Sequence, residues 1–216
     1  LVAVARKDAL KKRIMPAVTG PAEWEVFEDY ITYIIEKAPG IENPREFINK
    51  VDVAALILAE TKEHLGEESR NVILDSAIQY STSDLAIIDW NSALLIEPDG
   101  ERDVADVIEF SLTHLLEFRY YDEMLGMKLD ELYDTMDQKR ESVVNIFRNF
   151  YADIAEDSSR KYMDFSEFLG RVENSLKTVG DPYLAVVFRA SAMEFHFDDW
   201  RKSISRKMET LAQISQ

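Results

Sequence analysis

Glu109, His114, Glu117, Arg119 and Asp122 form the densest polar group inside an otherwise apolar stretch. Glutamate and histidine three apart on a helix are ligand material for di-metal bundles, with Glu before His and a second copy on another helix. Here His114 precedes Glu117, and no second copy follows. The only other histidines are His64 and His196, and no His-Glu-x-x-His run occurs. No metal or other cofactor is expected. The ionic reading is stronger. Asp122 lies three positions after Arg119, the spacing at which opposite charges meet on a helix surface. A partly buried pair of this kind fixes register and partner more than it adds stability. Glu117, Arg119 and Asp122 are the expected register and partner-contact residues.

A second set of carboxylates, Asp84, Asp89, Asp99 and Asp103, surrounds a short apolar segment. Paired carboxylates can do acid–base work, but these positions also suit turn formers and helix caps. Trp90 and Asn91 sit between them, at a turn that shapes either a pocket or a packed corner. The alternative to an interaction domain is therefore a small-ligand-binding or enzymatic domain with one pocket near Trp90, Glu109 and His114. Convergence of those three side chains on one cavity is what that alternative requires. No glycine-rich phosphate loop, nucleophile elbow or calcium loop is present. The absence of cysteine removes thiolate nucleophiles, disulfides and thiolate metal sites.

These residues must be held by elements, and one element dominates. Val104, Ile108, Ser111, Leu115, Phe118, Asp122, Leu125, Leu129, Leu132 and Met136 step by four and three, eight of the ten apolar. That repeat predicts a long helix lying against another, interrupted by Ser111 and Asp122. It continues through Val143, Ile146 and Phe150, past a break at Lys139. Gly126 in mid-helix marks a kink or a close approach. Upstream, residues 84–97 read as two short strands, 85–89 and 93–97, forming a hairpin or one bent strand, with a buried helix as rival. Helices are expected over 23–37, from Asn43-Pro44 to Gly66, and from Glu67 to Tyr80. Within the ambiguous residues 1–20, Leu1–Ala5 reads as a strand remnant and Asp8–Ile14 as a short basic helix ended by Pro16. Further helices follow Asp164 and Asp181-Pro182, the latter carrying Phe188 and Phe195, and a last one starts near Asp198-Asp199.

Seven glycines and six prolines in 216 residues are too few for a sandwich of many short strands. With 46% hydrophobic residues the chain can bury a sizeable core. A net charge of −16 repels nucleic acid at long range, so none is expected as a partner. Basic residues gather near the start and again at Arg201, Lys202, Arg206 and Lys207. The latter four read either as a solvated helix face or as residues close to an anionic membrane surface, ahead of a span absent from this sequence. No run of 18 apolar residues occurs, and both ends look cut from something longer.

The stretch Asp84-Leu-Ala-Ile-Ile-Asp-Trp90, then Val107-Ile-Glu-Phe110 and Leu115-Leu-Glu-Phe-Arg-Tyr-Tyr-Asp122, resembles the uncharacterised family related to "required for meiotic nuclear division" proteins. Gly180-Asp-Pro-Tyr183 through Trp200 and Leu211 resembles the helical region that precedes that family's C-terminal membrane segment. The resemblance spans roughly 70–216 and implies a membrane-tethered scaffold without catalytic residues. The expected fold is α+β and mainly α, with long antiparallel helices and a small β element near 84–97. Two regions are expected: 1–102, helical with the β element, and 103–216, a long-helix bundle or coiled-coil-like region. The expected function is a non-catalytic interaction or scaffolding domain, homo-oligomeric or bound to a protein partner, in the cytoplasm or on the cytoplasmic side of a membrane.

Overall fold

Leu85–Ile88 and Ser92–Ile96 pair antiparallel, with Leu85 opposite Ile96 and Ile88 opposite Ala93. The turn between them is closed by the Asp89 amide donating to the Ser92 carbonyl at 2.9 Å. All nine strand residues are buried, and both faces need cover. Fully apolar strands without alternation are what two-sided burial demands. The computed structural model describes residues 2–18, 24–37, 43–60, 64–138, 160, 163–172, 174 and 181–214.

The elements are α1 (Val2–Ile14), β1 (Ile31–Ile35), α2 (Pro44–Lys50), α3 (Val53–Ile57), α4 (Glu67–Asp75), β2 (Leu85–Ile88), β3 (Ser92–Ile96), α5 (Asp103–Gln138), α6 (163–172), α7 (Pro182–Glu194) and α8 (Phe197–Ile214). The fold is mainly helical α+β around a small mixed sheet of order β1-β3-β2. β1 lies parallel to β3 and corrects the helix expected over 23–37. Ile31, Thr32, Ile34 and Ile35 are β-branched, which favours a pleated surface over a helix. Trp24–Tyr30 runs without regular structure as a strap across α5: the Trp24 indole donates to Glu123 at 2.8 Å, and its ring meets Tyr120 edge-on at 5.7 Å.

The single helix expected after Asn43 is two. Asn43 does cap α2, accepting from the Glu46 amide. The chain then breaks at Val51-Asp52, where Asp52 caps α3 and takes the Arg70 guanidinium on both carboxylate oxygens at 2.5 and 2.7 Å. The helix from Glu67 stops at Asp75, because Ile78 bridges to Ala86 beside the sheet. At the N-terminus α1 spans both of the segments read separately there.

Alternate residues of the hairpin divide the core. Ala86, Ile88, Ala93 and Leu95 join α5 to α8, and Leu85, Ile87, Leu94 and Ile96 join Phe47, Val53, Ile57 and Ile73 of α2 to α4. The boundary drawn at 102/103 thus falls between a sheet and the helices that cover one of its faces. Along α5 the seam is buried at Val104, Ile108, Ser111, Leu115, Phe118, Leu125 and Leu132, and half-buried at Asp122 and Leu129. Ser111 satisfies itself by donating to the Val107 carbonyl at 2.8 Å. Met136, as a side chain, and Lys139, Val143, Ile146 and Phe150 lie outside the described residues.

α6 crosses α5 in the opposite sense, with His114 near Phe168 and Tyr121 near Phe165. α7 and α8 follow α5 in the same direction, pairing Phe110 with Phe188, Phe118 with Phe197, and Asp122 with Lys207. Asp181 caps α7 as its position suggests, accepting from the Tyr183 amide at 2.7 Å. Between α7 and α8, His196 adopts φ +55°, a left-handed conformation that costs a side-chain-bearing residue energy.

Candidate functional site: the groove at the hairpin tip

The hairpin turn projects Trp90, which is 64% exposed, toward the α7–α8 joint. A groove of about 530 Å³ opens there. The hairpin contributes Trp90 and Asn91, the strap and the start of β1 contribute Glu28, Asp29 and Ile31, α5 contributes Leu115 and Arg119, and the joint contributes Glu194, Phe195, His196 and Trp200. Tyr30 fastens these parts together. Its hydroxyl lies 2.7 Å from the Ser92 carbonyl and 3.0 Å from that of Asp89, and its ring meets Phe195 edge-on at 5.7 Å. Burial, and then the charge of Asp89, push the Tyr30 hydroxyl well above its ordinary pKa, so it is a permanent donor.

The electrostatics are dominated by carboxylates. Asp89 is only 8% exposed, and its Oδ2 has no hydrogen-bond partner among the described residues. Burial raises its pKa, against the opposing pull of the Trp90 amide. Glu194 is raised by burial first and by the charge of Asp89 second. Arg119 is engaged in an ion pair with Glu28. Among the described residues lining the groove, Glu28, Asp29 and Glu194 stand with Trp90 and Trp200, while Arg119 pairs with Glu28 and His196 lies 3.9 Å from Asp199.

A raised carboxyl pKa means that the folded state holds its proton more tightly than the unfolded chain. The stability these two groups contribute is fully present below the ordinary carboxylate range and is lost as pH rises through their raised values. Urea denaturation from about pH 4 to about pH 8 is expected to show the double variant Asp89→Asn/Glu194→Gln gaining on the parent as pH rises. A constant gap would separate the two carboxylates from the pH dependence.

The register residues are placed differently from the expected arrangement. Arg119 and Asp122 do not pair with each other; each reaches a separate element. Arg119 goes to Glu28 on the strap, while Asp122 takes Ser203 at 2.7 Å and Lys207 at 2.8 Å on α8. Glu117 lies 3.3 Å from His114 Nδ1 and 3.8 Å from Arg171 of α6. The three tie the long helix to three neighbours within the same chain.

Among the described residues, neither groove brings Trp90, Glu109 and His114 together. His114 is 6% exposed among Phe110, Phe168 and Phe188, and it borders a second groove of about 640 Å³ that includes Trp24 and Tyr120. Its Nε2 has no partner among the described residues. Glu109 is exposed and lines neither groove. Among the described residues, no three His, Asp or Glu side chains are placed to hold a metal ion together.

Asp84 is a turn former, accepting from the Tyr80 and Ser81 amides, and Asp103 stands in the first turn of α5, where the helix dipole favours a carboxylate. Of the basic quartet on α8, Arg201, Lys202 and Arg206 are exposed, while Lys207 is bound to Asp122. Among the described residues no helix is long and apolar enough to cross a membrane.

Reading of the sequence passed over Glu28, Asp29, Glu194, His196 and Trp200 as parts of one site. They lie in two segments, 28–29 and 194–200, some 165 residues apart, and the aromatic run Phe195-His196-Phe197 marks only the second.

A family model described as the N-terminal domain of the uncharacterized protein MJ0711 matches residues 2–103, ending where α5 begins. The uncharacterized protein MJ0711 of Methanocaldococcus jannaschii is similar to this chain, 24% identical over 189 residues. Those residues are 87% of this chain and 56% of that protein, so the chain spans little more than half of its relative's length. No solved structure matches. The family-matched segment supplies the strap and hairpin walls of the groove; Arg119, Glu194, His196 and Trp200 come from beyond it.

Proposed function

We propose that this chain is a non-catalytic interaction domain that receives a cationic side chain of a protein partner in the groove at the hairpin tip. The observation that carries this reading is Glu194, half-buried in the groove it shares with Trp90 and Trp200, with the buried Asp89 carboxylate close enough to raise its pKa. A guanidinium or ammonium group entering there meets a ring face, worth about 0.5–2 kcal/mol, and offsets the charge of Glu194. The net charge of −16 draws basic segments toward the surface before contact. Arg119, Glu117 and Asp122 serve this function indirectly, by holding strap, α6 and α8 in register around α5. The membrane tether implied by the resemblance over 70–216 belongs to the same proposal. The exposed trio Arg201, Lys202 and Arg206 supports it, and fractionation of the full-length protein tests it.

The direct test is titration with a short oligo-arginine peptide, read by tryptophan fluorescence, with oligo-glutamate as control. Saturable binding is expected for the basic peptide alone. It should weaken about tenfold in Glu194→Gln and again in Trp90→Ala, and it should fall with added salt. Binding should also fade toward acid pH, as Glu194 takes up its proton. Equal binding by the parent and both variants would remove the groove from the proposal.

A further inference from the structure

We infer that β1 is the edge through which two copies of this chain assemble, as an antiparallel β1–β1 ladder related by a two-fold axis at Tyr33. β1 is the outermost strand of the order β1-β3-β2, and among the described residues no strand pairs with its other side. The far edge of β2 differs, because Ile78 bridges to it. The Ile31 amide donates to Asn91 and the Ile35 carbonyl accepts from Glu97, so Ile31, Tyr33 and Ile35 turn their main-chain groups toward β3. Thr32 and Ile34 therefore turn theirs outward. Natural edges are normally blunted by proline, lysine or a bulge. Ile31-Thr-Tyr-Ile-Ile35 has neither proline nor charge, Ile31 is 54% exposed, and the register with β3 runs without a bulge.

The flanking charges select the occupant and its register. With the axis at Tyr33, Thr32 faces Ile34 of the second copy as a hydrogen-bonded pair, and Asp29 faces Lys37 on both sides. Moving the axis to Thr32 sets Glu28 against Glu36, a repulsive pair made twice. Moving it to Ile34 leaves Lys37 facing Ile31. A foreign strand has no reason to carry this match, whereas a second copy carries it by symmetry. Asp29 and Lys37 are both exposed and able to make the contact.

Sedimentation of the whole chain at micromolar concentration and physiological salt tests the inference. The parent is expected to be a dimer. Thr32→Pro removes only an outward amide, which an edge strand tolerates, so it should stay folded by circular dichroism and become monomeric. Lys37→Glu should weaken the dimer about tenfold or more, and Asp29→Lys together with Lys37→Glu should restore it. A monomeric parent, or a dimer that survives Thr32→Pro, would overturn the edge pairing. Failure of the charge swap to restore assembly would overturn the register.

Discussion

Phe118→Ala should lower the free energy of unfolding by about 3–5 kcal/mol, the range for truncating a buried aromatic without collapse of the cavity. Phe118 is 2% exposed and sits where three helices meet. Its ring lies 4.9 Å from Phe168 and 6.3 Å from Phe165 on α6, and 5.0 Å from Phe197 on α8. Each such pair adds about 0.5–1.5 kcal/mol beyond area burial, and α5, α6 and α8 cannot close independently around the void. Tyr133, on the same helix but 49% exposed, is the control; Tyr133→Ala should change stability by only about 0.5 kcal/mol. Urea denaturation of both variants checks the contrast. A loss under about 1 kcal/mol at Phe118 would show that the seam of α5 is not the structural axis of the chain.

The second large effect concerns Asp122, the polar interruption of that seam. Its Oδ1 accepts from Ser203, its Oδ2 pairs with Lys207, and Lys207 Nζ also donates to the Asp122 carbonyl at 2.8 Å. Both side chains are largely buried, at 19% and 27% exposure. Asp122→Leu leaves the ammonium with a single neutral acceptor. The expected cost is about 2 kcal/mol, between the values for exposed and fully buried pairs. Lys207→Met added to Asp122→Leu should recover most of it, because the pair then becomes an apolar contact of similar volume. A double-mutant cycle by chemical denaturation measures the coupling; additive losses would mean that the two side chains act separately. Gly126 borders the same pair: a methyl group there would lie 3.4 Å from Lys207 Nζ, ordinary van der Waals contact.

What sequence alone could reveal follows from the range of the forces involved. The long helix was legible because ten seam positions repeat one local rule, and the hairpin because Asp89-Trp-Asn-Ser92 breaks an apolar run where a turn fits. Asn43-Pro44 and Asp181-Pro182 were legible as helix starts, since a cap and its amide are two or three residues apart. β1 was not. Trp24, Phe27, Ile31 and Ile34 fall on helical spacing by coincidence, and what makes 31–35 a strand is β3, some 60 residues away. Arg119 and Asp122 have the spacing of a local pair, but Glu28 and Lys207 are better placed once the chain folds. The groove was illegible for the same reason: Tyr30, Asp89 and Glu194 become neighbours only through tertiary packing.

The two-sided burial of the hairpin bears on how the protein is made. A ribosome finishes β3 at Ile96 while all the helices that cover Ala86, Ile88, Ala93 and Leu95 are still to be synthesised. At ordinary elongation rates roughly ten seconds pass before α8 emerges. Throughout that interval the nascent chain carries an apolar strand pair one face of which has no cover yet made.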